Sequence, residues 1–426
     1  MQVTRALLVV ALAALAVCAS ARAPGILDEH AEQEVVSCFL KDQKDVADFV
    51  AVKEALHLDV WSHHIAAGAN VDFRVTHDIR SMIALRFECE VLVHDVAAML
   101  EEEEERSRLH LAKRGVNADW HDEYHPLAEI HSFIEDLALA YPDLATYVPT
   151  IGQSIEGRDI PVIRIKGVEE PPRTMFLSGC IHAREWVSPA VVQYLTEQLL
   201  VGYGNDNETT TILDTFEIVI APCINPDGYN FSWTDDRLWR KNRRPASENG
   251  GTCAGVDMNR NFDNHWGGVG ASANPCAADY RGASKASEPE TQIVQNFVMT
   301  LKRRSAAIDF HAYGQLILRS FGYTVEPSEN EATLKEIGDG MADRIAEVHG
   351  SRYTSQRAAE LYPTTGSTDD WYTEQGGMWG WTIELRDLGR YGFRLPADQI
   401  RPTGEEIWAA FKYFAAEVAE KAPISN

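Results

Sequence analysis

The sequence predicts a large α/β domain, with a mixed central sheet and helices on both faces, preceded by a small α+β open-sandwich domain. The chain has 426 residues and is 45% hydrophobic, which is enough to form more than one core. Between about residues 34 and 95, short apolar segments follow one another in the order β-α-β-β-α-β. After Gly115, apolar strands alternate with longer helices, as is typical of an α/β domain.

Residues 1–23 have the pattern of a cleaved secretory signal peptide. One early charge, Arg5, precedes an apolar run over 6–19, and small residues in Ala-x-Ala spacing follow it. A membrane anchor is the alternative, but the run is shorter than the roughly 20 residues that cross a bilayer. We therefore expect a secreted, extracellular protein.

The first domain is predicted to extend over residues 24–114. Its strand and helix order favours an open antiparallel sheet with helices on one face. A polar connecting helix is expected over 96–111, in which the glutamate run is a solvated face. The helix leads to Lys113-Arg114, and trypsin-like proteases can cut such exposed dibasic ends.

The second domain is predicted to extend over residues 115–426. Strands are expected at 160–166, 174–178, 217–221, 306–309 and 381–385. Helices are expected at 127–141, 190–201, 288–301, 333–349 and 404–418. In such sheets the ligand site lies at the carboxyl ends of the strands, and the motifs below all follow strands.

Charge and cysteine content restrict the partners and the compartment. The formal net charge of −25 excludes nucleic acid and anionic membranes as partners and weakly favours cationic substrates. Of seven cysteines, Cys18 would leave with the signal peptide, and the six that remain suit an oxidising compartment. A local bridge could join Cys253 and Cys276, which flank a Gly- and Asn-rich stretch. The other four cannot be paired from sequence alone: Cys38, Cys89, Cys180 and Cys223.

A candidate metal site follows the strand at 174–178. His182 and Glu185 are three residues apart, so on a helical turn both side chains reach the same point. Imidazole nitrogen and carboxylate oxygen are zinc ligands, and a catalytic zinc takes three protein groups plus water. His311, after the apolar strand near 306–310, is the best third candidate. Such a pair recurs by chance and a lone histidine is usually structural, so the hypothesis needs further motifs.

Four further segments supply these motifs: Asn-Pro-Asp-Gly-Tyr at 225–229, Arg-Leu-Trp-Arg-Lys-Asn at 237–242, Gly-Val-Asp-Met-Asn-Arg-Asn at 255–261 and Thr-Ile-Glu-Leu-Arg-Asp at 382–387. With the segments at His182 and His311, they closely resemble the zinc metallocarboxypeptidases of the pancreatic A/B type. The similarity continues outside these motifs. Residues 58–61 and 71–75 look like the activation domain of that family, and 392–396 look like the segment after its catalytic glutamate.

The resemblance implies one Zn²⁺ per chain, with a water in the open position. His182, Glu185 and His311 match the zinc ligands of the family. Asp257 matches a residue that steadies a ligand imidazole, which zinc-bound histidines generally need. The resemblance also supports the disulfide between Cys253 and Cys276.

Catalysis and recognition of the substrate terminus are implied by the same resemblance. Glu384 matches the general base that takes a proton from the attacking water and delivers it to the leaving amine. Arg240 matches the group that stabilises charge on the carbonyl oxygen. Asn259 and Arg260 match the pair that binds the C-terminal carboxylate, and Tyr362 matches the tyrosine that closes over the bound terminus.

Substrate specificity depends on the floor of the pocket for the departing side chain. Asp369 occupies that position, which indicates B-type preference for C-terminal Lys or Arg, because a substrate cation would pair with the buried carboxylate. Two departures point the other way: Arg357 could neutralise Asp369, and Gly322 is closer to the A-type pattern. Asp309 could add negative charge or be a local hydrogen-bond acceptor. Arg184 matches an auxiliary position in the substrate groove.

These observations predict a secreted, digestive and monomeric zinc exopeptidase that acts on the C-termini of peptides and proteins. A trypsin-like protease would activate it by cutting near Arg106, Arg108 or Arg114, and the sequence does not say at which. The alternatives are A-type specificity, an inactive homologue that serves as a binding module, and the prohormone-processing branch. The zinc ligands, base and oxyanion arginine are all present, which favours an active enzyme.

Overall fold

The computed structural model describes residues 30, 32–62, 65–113 and 119–426, with the backbone alone described for 107–113. The predicted signal peptide at 1–23 lies outside these residues, as does Arg114. Among the described residues, no helix is both long and apolar enough to cross a membrane. The chain divides into two compact units. One contains the described residues up to Lys113 with Cys276–Ala278, and the other contains the described residues from Asp119 to Pro275 and Asp279–Asn426.

The first unit has a four-stranded antiparallel sheet in the order β2-β3-β1-β4. Its elements are β1 (Gln33–Leu40), α1 (Gln43–Leu56), β2 (Asp59–Val60), β3 (Ala69–Thr76), α2 (His77–Ile83), β4 (Glu88–Val93) and α3 (Val96–Lys113). The predicted β-α-β-β-α-β order and the connecting helix are confirmed. Phe49 of α1 packs on Phe73 of β3, so apolar side chains attach this helix to the sheet.

The second unit has an eight-stranded mixed sheet in the order β11-β10-β12-β9-β7-β8-β6-β5. The strands are β5 (Ala145–Val148), β6 (Val162–Ile165), β7 (Arg173–Gly179), β8 (Phe216–Ala221), β9 (Arg304–Ala312), β10 (Leu316–Arg319), β11 (Thr354–Arg357) and β12 (Trp379–Leu385). The central four, β12, β9, β7 and β8, run parallel. Every residue of β9 and β12 is buried, as expected for strands that helices cover on both faces.

The helices of this unit follow the predicted alternation with strands. They are α4 (Leu127–Ala140), α5 (Val187–Gly202), α6 (Asn207–Thr215), α7 (Pro226–Thr234), α8 (Pro289–Thr300), α9 (Glu331–His349), α10 (Ala358–Leu361), α11 (Thr368–Glu374) and α12 (Ile400–Lys421). The predicted fold class is therefore confirmed. Strands β5, β10 and β11 and helices α6, α7, α10 and α11 were not predicted, because most are short.

The parallel strands β7, β9 and β12 end at the same edge of the sheet. Ser178 of β7 lies opposite Asp309 of β9, and His311 of β9 lies opposite Glu384 of β12. Because side chains in register on neighbouring strands share a face, these four groups are brought close together. The carboxyl ends of the strands therefore position the candidate site, as predicted for an open α/β sheet.

Candidate active site

Two histidines and one glutamate form the only metal-binding group found among the described residues. The potential ligand atoms of His182, Glu185 and His311 all lie within 4.8 Å of one another, and all three residues are buried. Nδ1 of His182 is 2.9 Å from Oε1 of Glu185 and 3.1 Å from Nδ1 of His311. His182 and Glu185 lie in a turn before α5. The turn brings the two side chains to the same point, as was expected of a helical turn.

The second ring nitrogen of each histidine contacts a buried carboxylate. Nε2 of His182 is 3.2 Å from Oδ1 of Asp257, and Nε2 of His311 is 2.9 Å from Oδ2 of Asp309. With a metal ion at the common point, Nδ1 of each ring would be the ligand atom and each Nε2–H would donate to its carboxylate. Both Nδ1 atoms therefore face the same point as the Glu185 carboxylate. Two imidazoles, a carboxylate and fixed tautomers suit a catalytic zinc ion.

Positively charged neighbours keep two buried carboxyl groups of this site ionised. Burial alone would raise the pKa of the Glu185 carboxyl, but the neighbouring histidines hold it well below its usual range. Burial also opposes ionisation of Asp257, yet Arg240 and His182 hold its pKa well below the usual range. Both carboxylates are thus ionised at neutral pH, as a ligand and a partner of a ligand imidazole require.

Arg240 lies beside the metal-binding group. Its Nη2 donates to Oδ2 of Asp257 at 2.9 Å, and its Nη1 lies 3.7 Å from Oε1 of Glu185. These two acids, together with Tyr362, raise the pKa of the guanidinium above its ordinary value despite burial. Arg240 is therefore a fixed cation that a substrate oxygen near the metal position could contact.

Glu384 lies on β12, opposite His311 on the parallel neighbour β9. The side chain is buried, and burial raises the pKa of its carboxyl to about 8. In the metal-free protein this carboxyl therefore keeps its proton at neutral pH, and a cation bound beside it would lower the pKa so that the carboxylate can accept a proton. Its predicted place beside the metal ligands agrees with this register.

The three predicted contacts of the substrate terminus lie together. Nη2 of Arg260 is 3.3 Å from the hydroxyl of Tyr362, and the guanidinium lies over that ring at 5.8 Å. Nε of Arg260 donates to the carbonyl of Gly270 at 2.7 Å, which fixes the orientation of the guanidinium group. Oδ1 of Asn259 accepts from the backbone N–H of Thr368 at 2.9 Å, so its amide nitrogen can face a ligand.

Arg184, the predicted auxiliary residue, is buried. Its guanidinium lies 4.0 Å from the ring centroid of Phe393, and its Nη1 is 3.4 Å from the carbonyl of Leu238. These contacts give the residue a packing role, and its part in the substrate groove stays a prediction.

Two neighbouring acids begin helix α11 at the predicted specificity position. Asp369 is buried, and burial raises the pKa of its carboxyl. Asp370 accepts from the backbone N–H groups of Gly322 and Tyr323. Arg357, which could have neutralised Asp369, instead donates to Glu360 at 2.7 Å and to the carbonyl of Val325. None of the described lysines and arginines forms an ion pair with Asp369.

The structure shows the bonding state of the four cysteines that the sequence could not pair. Cys38 and Cys89 form a disulfide between paired positions of β1 and β4, whereas Cys180 and Cys223 are buried free thiols. Cys253 and Cys276 are each disulfide-bonded. Their pairing with each other stays a prediction.

Sequence reasoning missed several polar groups that support the site. Thr368 donates to Asp309 at 2.9 Å, and Ser178 donates to the other oxygen of the same carboxylate at 2.9 Å. Hydroxyl residues carry no sequence signal for such roles. The carboxylate itself was not missed: Asp309 was named as a possible local hydrogen-bond acceptor, and the structure shows it in that role.

Fold and site together define a metal-dependent hydrolase, and comparison with known proteins gives its family. The profile of Peptidase M14, zinc carboxypeptidase, matches residues 130–410. Carboxypeptidase B of Bos taurus is 32% identical over 406 residues, covering 92% of this chain and 95% of the relative. Carboxypeptidase A1 of Rattus norvegicus is 35% identical over 367 residues, covering 84% of this chain and 86% of the relative.

Solved structures agree with this assignment. The crystal structure of thrombin activatable fibrinolysis inhibitor has a TM-score of 0.81 at 31% identity and covers 91% of this chain and 99% of its own. Carboxypeptidase A from Helicoverpa armigera has a TM-score of 0.83 at 27% identity and covers 92% of this chain and 98% of its own. The chain belongs to the zinc carboxypeptidase family and is a metallocarboxypeptidase, a hydrolase.

Proposed function

We propose that this protein is a secreted, digestive exopeptidase that releases the C-terminal residue of peptides and prefers Lys or Arg at that position. The observation that carries the specificity is the buried carboxylate of Asp369, which has no cationic partner among the described residues. Its relatives include carboxypeptidases B and A1, so the names alone leave the specificity open.

The chemistry follows from the groups around the metal-binding histidines. His182, Glu185 and His311 would hold Zn²⁺, which when bound polarises a carbonyl and lowers the pKa of water. Glu384 takes the proton of the attacking water and returns it to the leaving amine. Arg240 lies between Asp257 and Glu185 and stabilises negative charge on the carbonyl oxygen as the peptide bond breaks.

Recognition of a free C-terminus is assigned to Asn259, Arg260 and Tyr362. A guanidinium fork and an amide match the two oxygens of a carboxylate. The hydroxyl of Tyr362 lies near Arg260 and can close over a bound terminus. An internal peptide bond lacks the terminal carboxylate, so these contacts make the enzyme an exopeptidase.

Basic preference follows from the cost of burying an unpaired carboxylate. A substrate lysine or arginine would supply the cation that Asp369 lacks, whereas an aromatic residue would leave a buried acid without a partner. The contact of Arg357 with Glu360 supports this proposal. An Arg357 that paired with Asp369 would cancel its charge and favour A-type specificity, but Arg357 pairs with Glu360 instead.

The test compares kcat/KM on peptides that end in Arg, Lys, Phe or Leu and are otherwise identical. Wild-type enzyme should favour Arg and Lys, and Asp369→Ile should reverse the order. Arg357→Ala is the matched control, which should leave the order unchanged because its partner is Glu360. A wild-type preference for Phe or Leu would reject the proposal, and so would basic preference that survives in Asp369→Ile.

We further propose that residues 24–114 are an inhibitory propeptide and that the enzyme is a monomer of the catalytic domain 115–426 after activation. Arg106, Arg108 and Arg114 are the candidate sites for a trypsin-like protease. The intact chain should be nearly inert, and cleavage verified by mass spectrometry should switch it on. Equal activity before and after a verified cut would show that the segment does not inhibit. Sedimentation would test the monomer.

A further inference from the structure

Asp309 is a buried acid that no step of the proposed reaction uses. It lies on β9, two residues before His311, and is fully buried. The sequence left two roles open for it: an additional negative charge in the specificity pocket, or a local hydrogen-bond acceptor. The contacts of its two oxygens decide between these roles.

Both oxygens of Asp309 are already occupied within the protein. Oδ1 accepts from the hydroxyl of Ser178 at 2.9 Å, and Oδ2 accepts from the hydroxyl of Thr368 at 2.9 Å. Nε2 of His311 is also 2.9 Å from Oδ2. Because both oxygens are occupied by partners within the protein, Asp309 acts as a local hydrogen-bond acceptor and not as a free charge of the specificity pocket.

The two histidines of the metal-binding group are held in matching ways. Each directs Nδ1 to the common point and Nε2 to a buried carboxylate, Asp257 for His182 and Asp309 for His311. A ring that donates Nε2–H to a fixed acceptor keeps one tautomer and one orientation, and its Nδ1 becomes a better donor to a metal.

We propose that Asp309 is the positioning residue of His311: its carboxylate accepts the Nε2–H and thereby aims Nδ1 at the metal. The inference depends on the proposed function, because it requires His311 to be a zinc ligand. Ser178 and Thr368 fix the carboxylate from neighbouring elements, β7 and α11. Thr368 also contacts Oδ1 of Asn259, so the support of the metal ligand adjoins the binding site for the substrate terminus.

The alternative is a purely structural role, in which Asp309 only connects β9 to neighbouring elements through hydrogen bonds from hydroxyl groups. Under that alternative, loss of its charge would lower stability and leave metal affinity unchanged. Under the proposal, Asp309→Asn keeps the shape of the side chain but loses the charge that orients the imidazole. Zinc affinity should then fall by about 10- to 100-fold, as is typical when an outer partner of a ligand histidine is removed.

The experiment uses the full chain freed of metal by dialysis against a chelator. The zinc dissociation constant is measured by competition with a chromophoric chelator. Cobalt(II) is then added in place of zinc, and its visible absorption spectrum reports the geometry of the ligands independently of activity. Asp257→Asn is the reference, with a similar loss expected. Asp227→Asn is the control, because this buried acid contacts Ser154 and Arg158 and no metal ligand.

Asp309→Asn should bind zinc about 10- to 100-fold more weakly and shift the cobalt spectrum, whereas Asp227→Asn should bind zinc as wild type does. Zinc affinity and cobalt spectrum of Asp309→Asn matching wild type would overturn the inference. If Asp309→Asn does not fold, Ser178→Ala decides: it loosens the carboxylate without removing it and should change both readouts in the same direction. Failure of wild type to bind zinc would instead reject the proposed function.

Discussion

Glu384→Gln separates the chemical role of this carboxyl group from its effect on stability. The amide has nearly the same shape as the acid, so the fold and the bound zinc should be retained. It cannot accept a proton, so turnover should fall by about 10²- to 10⁴-fold. Retention of more than about a tenth of the activity would place the general base elsewhere.

The same substitution should stabilise the metal-free protein at neutral pH. Burial raises the pKa of Glu384 from 4.5 to about 8. Between these values the folded protein keeps a proton that the unfolded chain releases, so stability falls as pH rises through this window. At pH 7, which is about 2.5 pH units above the pKa of the unfolded chain, the buried protonated carboxyl lowers the free energy of unfolding by about 3 kcal/mol. At pH 5 the loss is less than about 1 kcal/mol. Glutamine does not ionise and avoids this cost.

The assay is urea unfolding of the chelator-treated wild type and variant at pH 5 and pH 7, followed by tryptophan fluorescence. The variant should be more stable by about 3 kcal/mol at pH 7, and the gain should shrink to below about 1 kcal/mol at pH 5. Glu217→Gln is a matched control, because this acid pairs with Arg164 on the neighbouring strand and contacts no ligand of the metal. A gain independent of pH, or a loss at pH 7, would refute the reasoning.

Two further predictions concern the oxyanion and the disulfide. Arg240→Ala should keep zinc but lower kcat/KM by about 10²- to 10³-fold, because a fixed cation beside Asp257 is lost. A change below about threefold would show that Arg240 has no catalytic role. Replacing Cys38 and Cys89, which are 51 residues apart, by serine should destabilise the first unit by about 4 kcal/mol in urea unfolding. A loss below about 1 kcal/mol would show that the apolar core alone holds this unit.

The sequence predicted the parts of the fold that carry a strong local pattern. Strand β9 was found because apolar residues predominate at 306–310, but β11, Thr-Ser-Gln-Arg, was missed because nothing in four polar residues indicates a strand. The metal ligands were predicted from spacing and resemblance, and the structure brings them together. The partner of Arg357 was not predicted, since Glu360 reaches it across the first turn of α10, a four-residue helix that the sequence did not indicate.

The central claim is that one zinc ion in the His182, Glu185 and His311 group releases single residues from free C-termini. The most direct measurement uses the trypsin-cut protein, with zinc counted per chain and a matched pair of peptides, one with a free C-terminus and one amidated. We expect one zinc per chain, one amino acid released at a time from the free peptide, and no cleavage of the amide. A metal-free protein that still acts, or equal cleavage of both peptides, would contradict the account.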